Sequence, residues 1–299
     1  MKAAFPHETA LNLLFALHNS LLDIPWHQLP SGMEHGQLEA PGEMSNYVKR
    51  SWLVFLLLLG TNAVLALLIF VLGLADEMVA AGSSTASMPD VPQWVLGLAN
   101  AGLILVFYGL MGTLGILLSK KSGLPGIYRE CARRSELLLS PILIGILMGA
   151  FFIALDRAFA VTARLDGLAH PDFPASIIAS AAAGIGEEII FRLFLLTLWA
   201  FILSLIFRRP GFDRFRFWTA NLIAAIAFAA AHLPATMFLL GASNLNEIPA
   251  ALLAEVLILN TSLGLVAGER YIKVGLVAAV GVHFWADIVW HVVYPLVLP

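Results

Sequence analysis

The chain has 299 residues, of which 60% are hydrophobic and only 12% charged, and its mean hydropathy is +0.86. Soluble domains carry about 25% charged residues, so a water-soluble enzyme and a disordered regulator are both excluded. A net charge of −3 provides no basic field for phosphate backbones, which excludes a nucleic-acid binder, and the single cysteine, Cys131, excludes a disulfide framework or a multi-cysteine metal site.

At the N-terminus, Lys2 precedes apolar residues that His7, Glu8, Asn12, His18 and Asn19 interrupt, and no small-residue cleavage site follows. That pattern is not a signal peptide. Leu11, Leu14, Phe15, Leu21 and Leu22 recur at helical spacing and predict an amphipathic helix lying on the membrane surface. Seven apolar runs follow, at 51–75, 93–119, 138–162, 174–206, 217–241, 248–267 and 273–297. Each is long enough to cross a bilayer as a helix, and none shows the strict alternation of a membrane β-barrel strand. The expected fold is all-α, a polytopic membrane helix bundle of seven transmembrane helices, or eight if a terminal segment adds one. Between the first two runs lies a loop of small residues, Ala80 to Pro92.

Positive charge orients the bundle. If the seven runs alternate direction, fourteen of the seventeen lysines and arginines fall on one side. The positive-inside rule makes that side cytoplasmic, so the N-terminus is expected inside and the C-terminus outside. The chain divides into an N-terminal cytoplasmic or interfacial segment (1–47), the first three transmembrane helices (48–165) and a C-terminal bundle (166–299). Cys131 sits in the loop Ile127–Ser135, remote from the polar motifs of that bundle, which argues against a thiol nucleophile.

Charged groups inside a span cost about 2.5–3.5 kcal/mol each to insert and need a partner or a task. The fourth run contains Gly184-Ile185-Gly186-Glu187-Glu188-Ile189-Ile190-Phe191-Arg192. Glu188 and Arg192, four apart, share a helix face and predict an ion pair. Glu187 points about 100° away and must meet something on another helix. Before it, Ser180 to Gly184 are all small, which lets a neighbouring backbone approach. His232 lies within the fifth run, and His283, Asp287 and His291 recur along one face of the seventh. His291, nearest the end, is expected to face water. Asp156 with Arg157, and Glu255, read as structural staples or cavity-lining groups.

A carboxylate beside a neutral histidine can hold and deprotonate water, and a second histidine aimed at the same point can stabilise an oxyanion. That is the minimum equipment for amide hydrolysis within a membrane. Intramembrane Glu, Asp and His also build proton relays, so a proton-coupled transporter stays open, as does a non-catalytic membrane scaffold or bacteriocin-immunity protein.

The ordered motifs Glu187-Glu188-x-x-x-Arg192, Phe228-x-x-x-His232 and His283-x-x-x-Asp287 resemble those of the CPBP family of CAAX-protease and bacteriocin-processing membrane proteins, over roughly 174–290. The resemblance implies an intramembrane endopeptidase acting on a membrane-anchored protein or peptide, located in a bacterial inner (plasma) membrane. Glu187 and His232 would activate water, while His283 and Asp287 would stabilise the oxyanion. Glu188, Arg192 and Phe228 would support the site. Where the prenyl-protease members carry asparagine this chain has Asp287, which donates a hydrogen bond only when protonated. The implied mechanism is of the glutamate type, without a cofactor. A metalloendopeptidase holding zinc through Glu187, His232, His283 and Asp287 is the alternative, although the chain has no His-Glu-x-x-His pair.

Overall fold

Hydrocarbon offers a peptide group no hydrogen-bonding partner, so each apolar run must satisfy its backbone internally. The computed structural model describes residues 41–74, 91–163, 168, 170–208 and 211–297. The surface helix expected within the first forty residues and nearly all of the Ala80–Pro92 loop lie outside them. Among the described residues there is no strand. Within the same described residues, seven helices are long and apolar enough to cross a membrane: α1 (Asn46–Val71), α2 (Gln93–Ser122), α3 (Ser135–Ala163), α4 (Ala175–Ile206), α5 (Asp213–Leu240), α6 (Ala250–Lys273) and α7 (Leu276–Val297). The expected all-helical, seven-span architecture is what the chain adopts, and it makes the protein an integral, multi-pass membrane protein.

Lipid tails are as apolar as leucine, so helices associate in a membrane through close packing rather than burial from water. Glycines supply that closeness where the site is assembled. A side chain at Gly184 would meet the backbone of Phe284, so α4 and α7 touch beside the diglutamate. A Cβ at Gly145 would lie 2.6 Å from the carbonyl oxygen of Val282, and one at Gly149 2.8 Å from that of Ala286. Four residues apart on α3, these two glycines seat α7 and fix its register. The small residues ahead of Glu187 do what their composition predicts.

The core falls into two apolar clusters. One contains Phe55, Leu59, Ile116, Ile189, Leu193, Tyr271 and Leu276, and the other Phe152, Phe228, Leu259, Val282, Ala286 and Trp290. Ile189 and Phe228 flank the charged residues of α4 from one cluster each. The α2–α3 loop is tied to the start of α7: Leu276 donates its N–H to Gly126, Val277 to Ile127, and Arg129 to Val274. Gly275, at φ +118°, makes this approach feasible, because a Cβ there would lie 2.6 Å from the Cα of Tyr128. Cys131 is exposed on the same loop.

Candidate active site

In α4 the helix widens from α to π geometry directly after Glu188, over Ile189–Leu196, and α7 does the same directly after Asp287, over Ile288–Val293. Such widened turns are uncommon and concentrate at functional sites. Glu188 and Arg192 pair as predicted, Nε to Oε2 at 3.1 Å, both essentially inaccessible to solvent. The guanidinium also stands over the Phe228 ring, 4.4 Å from its centroid, a cation–π contact that offsets part of its desolvation.

Glu187, on the adjacent face, finds its partners on two other helices. Its Oε2 lies 4.0 Å from His232 Nε2 on α5 and 3.8 Å from His283 Nε2 on α7. Both separations exceed a direct hydrogen bond and suit one intervening oxygen atom. Glu187 and His232 each keep 31% of their side-chain surface exposed, whereas His283 keeps 4%. The pocket therefore opens on the side of Glu187 and His232 and is closed behind His283.

Local chemistry fixes both imidazoles. Pro234 has no N–H and its ring crowds the preceding turn, so α5 breaks at His232, between its Asp213–Ala231 and Leu233–Leu240 segments. His232 Nδ1 donates to the carbonyl of Phe228 at 2.9 Å, which leaves Nε2 as the nitrogen facing Glu187. The Phe228 ring meets His232 edge-on at 4.8 Å and His283 at 5.6 Å, so it walls both. His283 Nδ1 contacts Glu188 Oε1 at 2.8 Å, and its Nε2 lies 3.4 Å from Asp287 Oδ2, one helical turn on. Asp287 is buried.

Two polar groups depart from expectation. His291 is half-buried rather than freely exposed: its Nδ1 lies 3.0 Å from His170 Nδ1, and His170 packs edge-on against Trp290 at 4.6 Å. Burial, together with the facing His291, pushes His170 down to about 4. Asp156 does not pair with Arg157. It accepts from the Leu168 N–H and the Tyr294 hydroxyl and contacts Glu255, while Arg157 lies over the Tyr294 ring. His291 also lies within electrostatic reach of Asp287, His283 and His232.

Residues 169–289 match the family model described as type II CAAX prenyl endopeptidase Rce1-like. This segment is Rce1-like. No curated protein and no solved structure matches the chain. The Rce1-like segment starts ahead of α4 and ends two residues past Asp287, so the resemblance read over 174–290 is borne out and takes in every motif residue. The family so matched is, by its description, one of CAAX prenyl endopeptidases.

Two residues outside the Rce1-like segment also reach the site. Asn62 of α1 and Tyr108 of α2 press against Gly186: a Cβ there would lie 2.6 Å from Asn62 Nδ2 and 2.8 Å from Tyr108 Cε2. The only sequence signal was a lone amide within an apolar run at Asn62. As for zinc, no group of three or more His, Cys, Asp or Glu side chains among the described residues is arranged to hold a metal. The 3.8–4.0 Å nitrogen–oxygen separations are wide for atoms sharing a tetrahedral ion with bonds of about 2.0–2.2 Å.

Proposed function

We propose that the protein is a glutamate-type intramembrane endopeptidase that hydrolyses a peptide bond in a membrane-anchored protein or peptide of the CAAX type. The observation that carries this reading is the approach of His232 Nε2 and His283 Nε2 to the same oxygen, Glu187 Oε2, with each imidazole tied at its other nitrogen. A water between Glu187 and His232 gives its proton to the Glu187 carboxylate as its oxygen attacks the scissile carbonyl. The tetrahedral oxyanion is met by His283 Nε2–H, which Asp287 aligns and Glu188 backs through Nδ1. Glu187 then returns the proton to the leaving amine as the C–N bond breaks, so protons balance over the cycle. Glu188, Arg192 and Phe228 hold this geometry without touching substrate.

The test is cleavage of a membrane-anchored reporter library by purified protein, with wild type and His232→Ala each assayed with and without a strong chelator. The expected result is cleavage by wild type that survives chelation and falls roughly 10²–10⁴-fold in the histidine variant. Loss on chelation with recovery on adding Zn²⁺ would replace this mechanism with a metal-dependent one. A folded wild type that cleaves no reporter would turn attention to proton flux in liposomes.

A further inference from the structure

Asn62 is 1% exposed, and its Nδ2 has no hydrogen-bond partner among the described residues. An amide left unpaired in a hydrocarbon-spanning helix is costly, and an apolar residue of similar size would pack there without that cost. The group lies against the backbone of Gly186, immediately before Glu187, and the absence of a side chain at that position is what admits it. Tyr108 occupies the other side of the same opening, within electrostatic reach of Glu187. It ends a π turn in α2, Ile104–Tyr108, the same distortion that follows Glu188 and Asp287 in their own helices. Glu187 Oε2 is likewise buried and without a hydrogen bond of its own. A carboxylate that is to face a water between two histidines needs something to stop its rotation, and the histidines are too far away to do so directly.

We propose that Asn62 and Tyr108, on two of the three helices that lie outside the Rce1-like segment, are positioning residues for the Glu187 carboxylate. They approach it through the gap at Gly186, from α1 and α2, whereas both histidines come from α5 and α7. As bound peptide excludes water from the pocket, the Asn62 amide and the Tyr108 hydroxyl donate to Glu187 and hold its reacting oxygen toward the water. The first two helices thereby complete an active site whose reacting groups all belong to the C-terminal bundle. This inference rests on the endopeptidase reading.

The experiment measures kcat, KM and melting temperature for wild type, Tyr108→Phe, Asn62→Leu and Glu187→Gln on one reporter that wild type cleaves. Tyr108→Phe removes a single oxygen and leaves the packing intact. Asn62→Leu keeps the volume and removes the unpaired amide. Both are expected to lower kcat roughly ten- to hundredfold with KM within about twofold. Asn62→Leu is expected to melt at or above the wild-type temperature. A merely structural role predicts the reverse, unchanged kcat with altered melting. Wild-type kcat in either variant overturns the pairing, wild-type turnover by Glu187→Gln removes Glu187 from the mechanism, and a folded wild type that cleaves no reporter overturns the endopeptidase reading itself.

Discussion

Glu187→Gln is expected to suppress peptide cleavage by roughly 10²–10⁴-fold, the range associated with losing a positioned general base, while leaving the fold intact. The separation of these effects follows from how Glu187 is held. It makes no ion pair with any lysine or arginine among the described residues, keeps 31% of its side chain exposed, and approaches two histidines at distances longer than hydrogen bonds. The amide has the same shape and can occupy the same pocket. It cannot accept the proton that water must lose. Reporter cleavage and a thermal melt on the same preparation check this, and turnover within tenfold of wild type would remove Glu187 from the mechanism.

The second large effect is on stability. Arg192→Met is expected to destabilise the protein by about 3–5 kcal/mol, because it leaves Glu188 as a buried carboxylate without its cation. Glu188 and Arg192 are buried together, and the guanidinium also loses its place over the Phe228 ring. The double variant Glu188→Gln, Arg192→Met removes both charges and should recover most of the loss. It should not recover activity, since His283 Nδ1 then faces a neutral amide instead of a carboxylate. Unfolding of the three proteins in a graded detergent series provides the comparison. A single variant within about 1 kcal/mol of wild type, or a double variant no more stable than the single, would show that the pair is not the staple it resembles.

What could be read from the sequence, and what could not, follows from the range of each signal. Spans are legible because hydrocarbon imposes length and apolarity on consecutive residues. The Glu188–Arg192 pair is legible because helix geometry fixes neighbours four apart. Glu187 could be seen to need a partner from another helix, and His232 and His283 were the few groups able to supply one. Contacts set by the docking of separate helices leave no such trace. Nothing in the run around Asn62 says that it faces Gly186, and a tyrosine at position 108 looks like any other aromatic in a span. Nearness to a helix end predicts water around His291, but His170, ahead of α4, packs against it. The π turns are equally silent, since an extra residue per turn changes backbone bonding without a characteristic composition.

The exposed thiol on the α2–α3 loop has a practical consequence for the question of sidedness. Because Cys131 is the sole cysteine in the chain, the unmodified protein carries one native attachment point for a thiol reagent, and no residue has to be replaced to create or remove one. A maleimide unable to cross lipid reads which face of the bilayer that loop occupies. If the lysine- and arginine-rich loops are cytoplasmic, right-side-out vesicles protect Cys131 until they are lysed. The helices on either side of the label then have their directions assigned, and with them the direction of every later span.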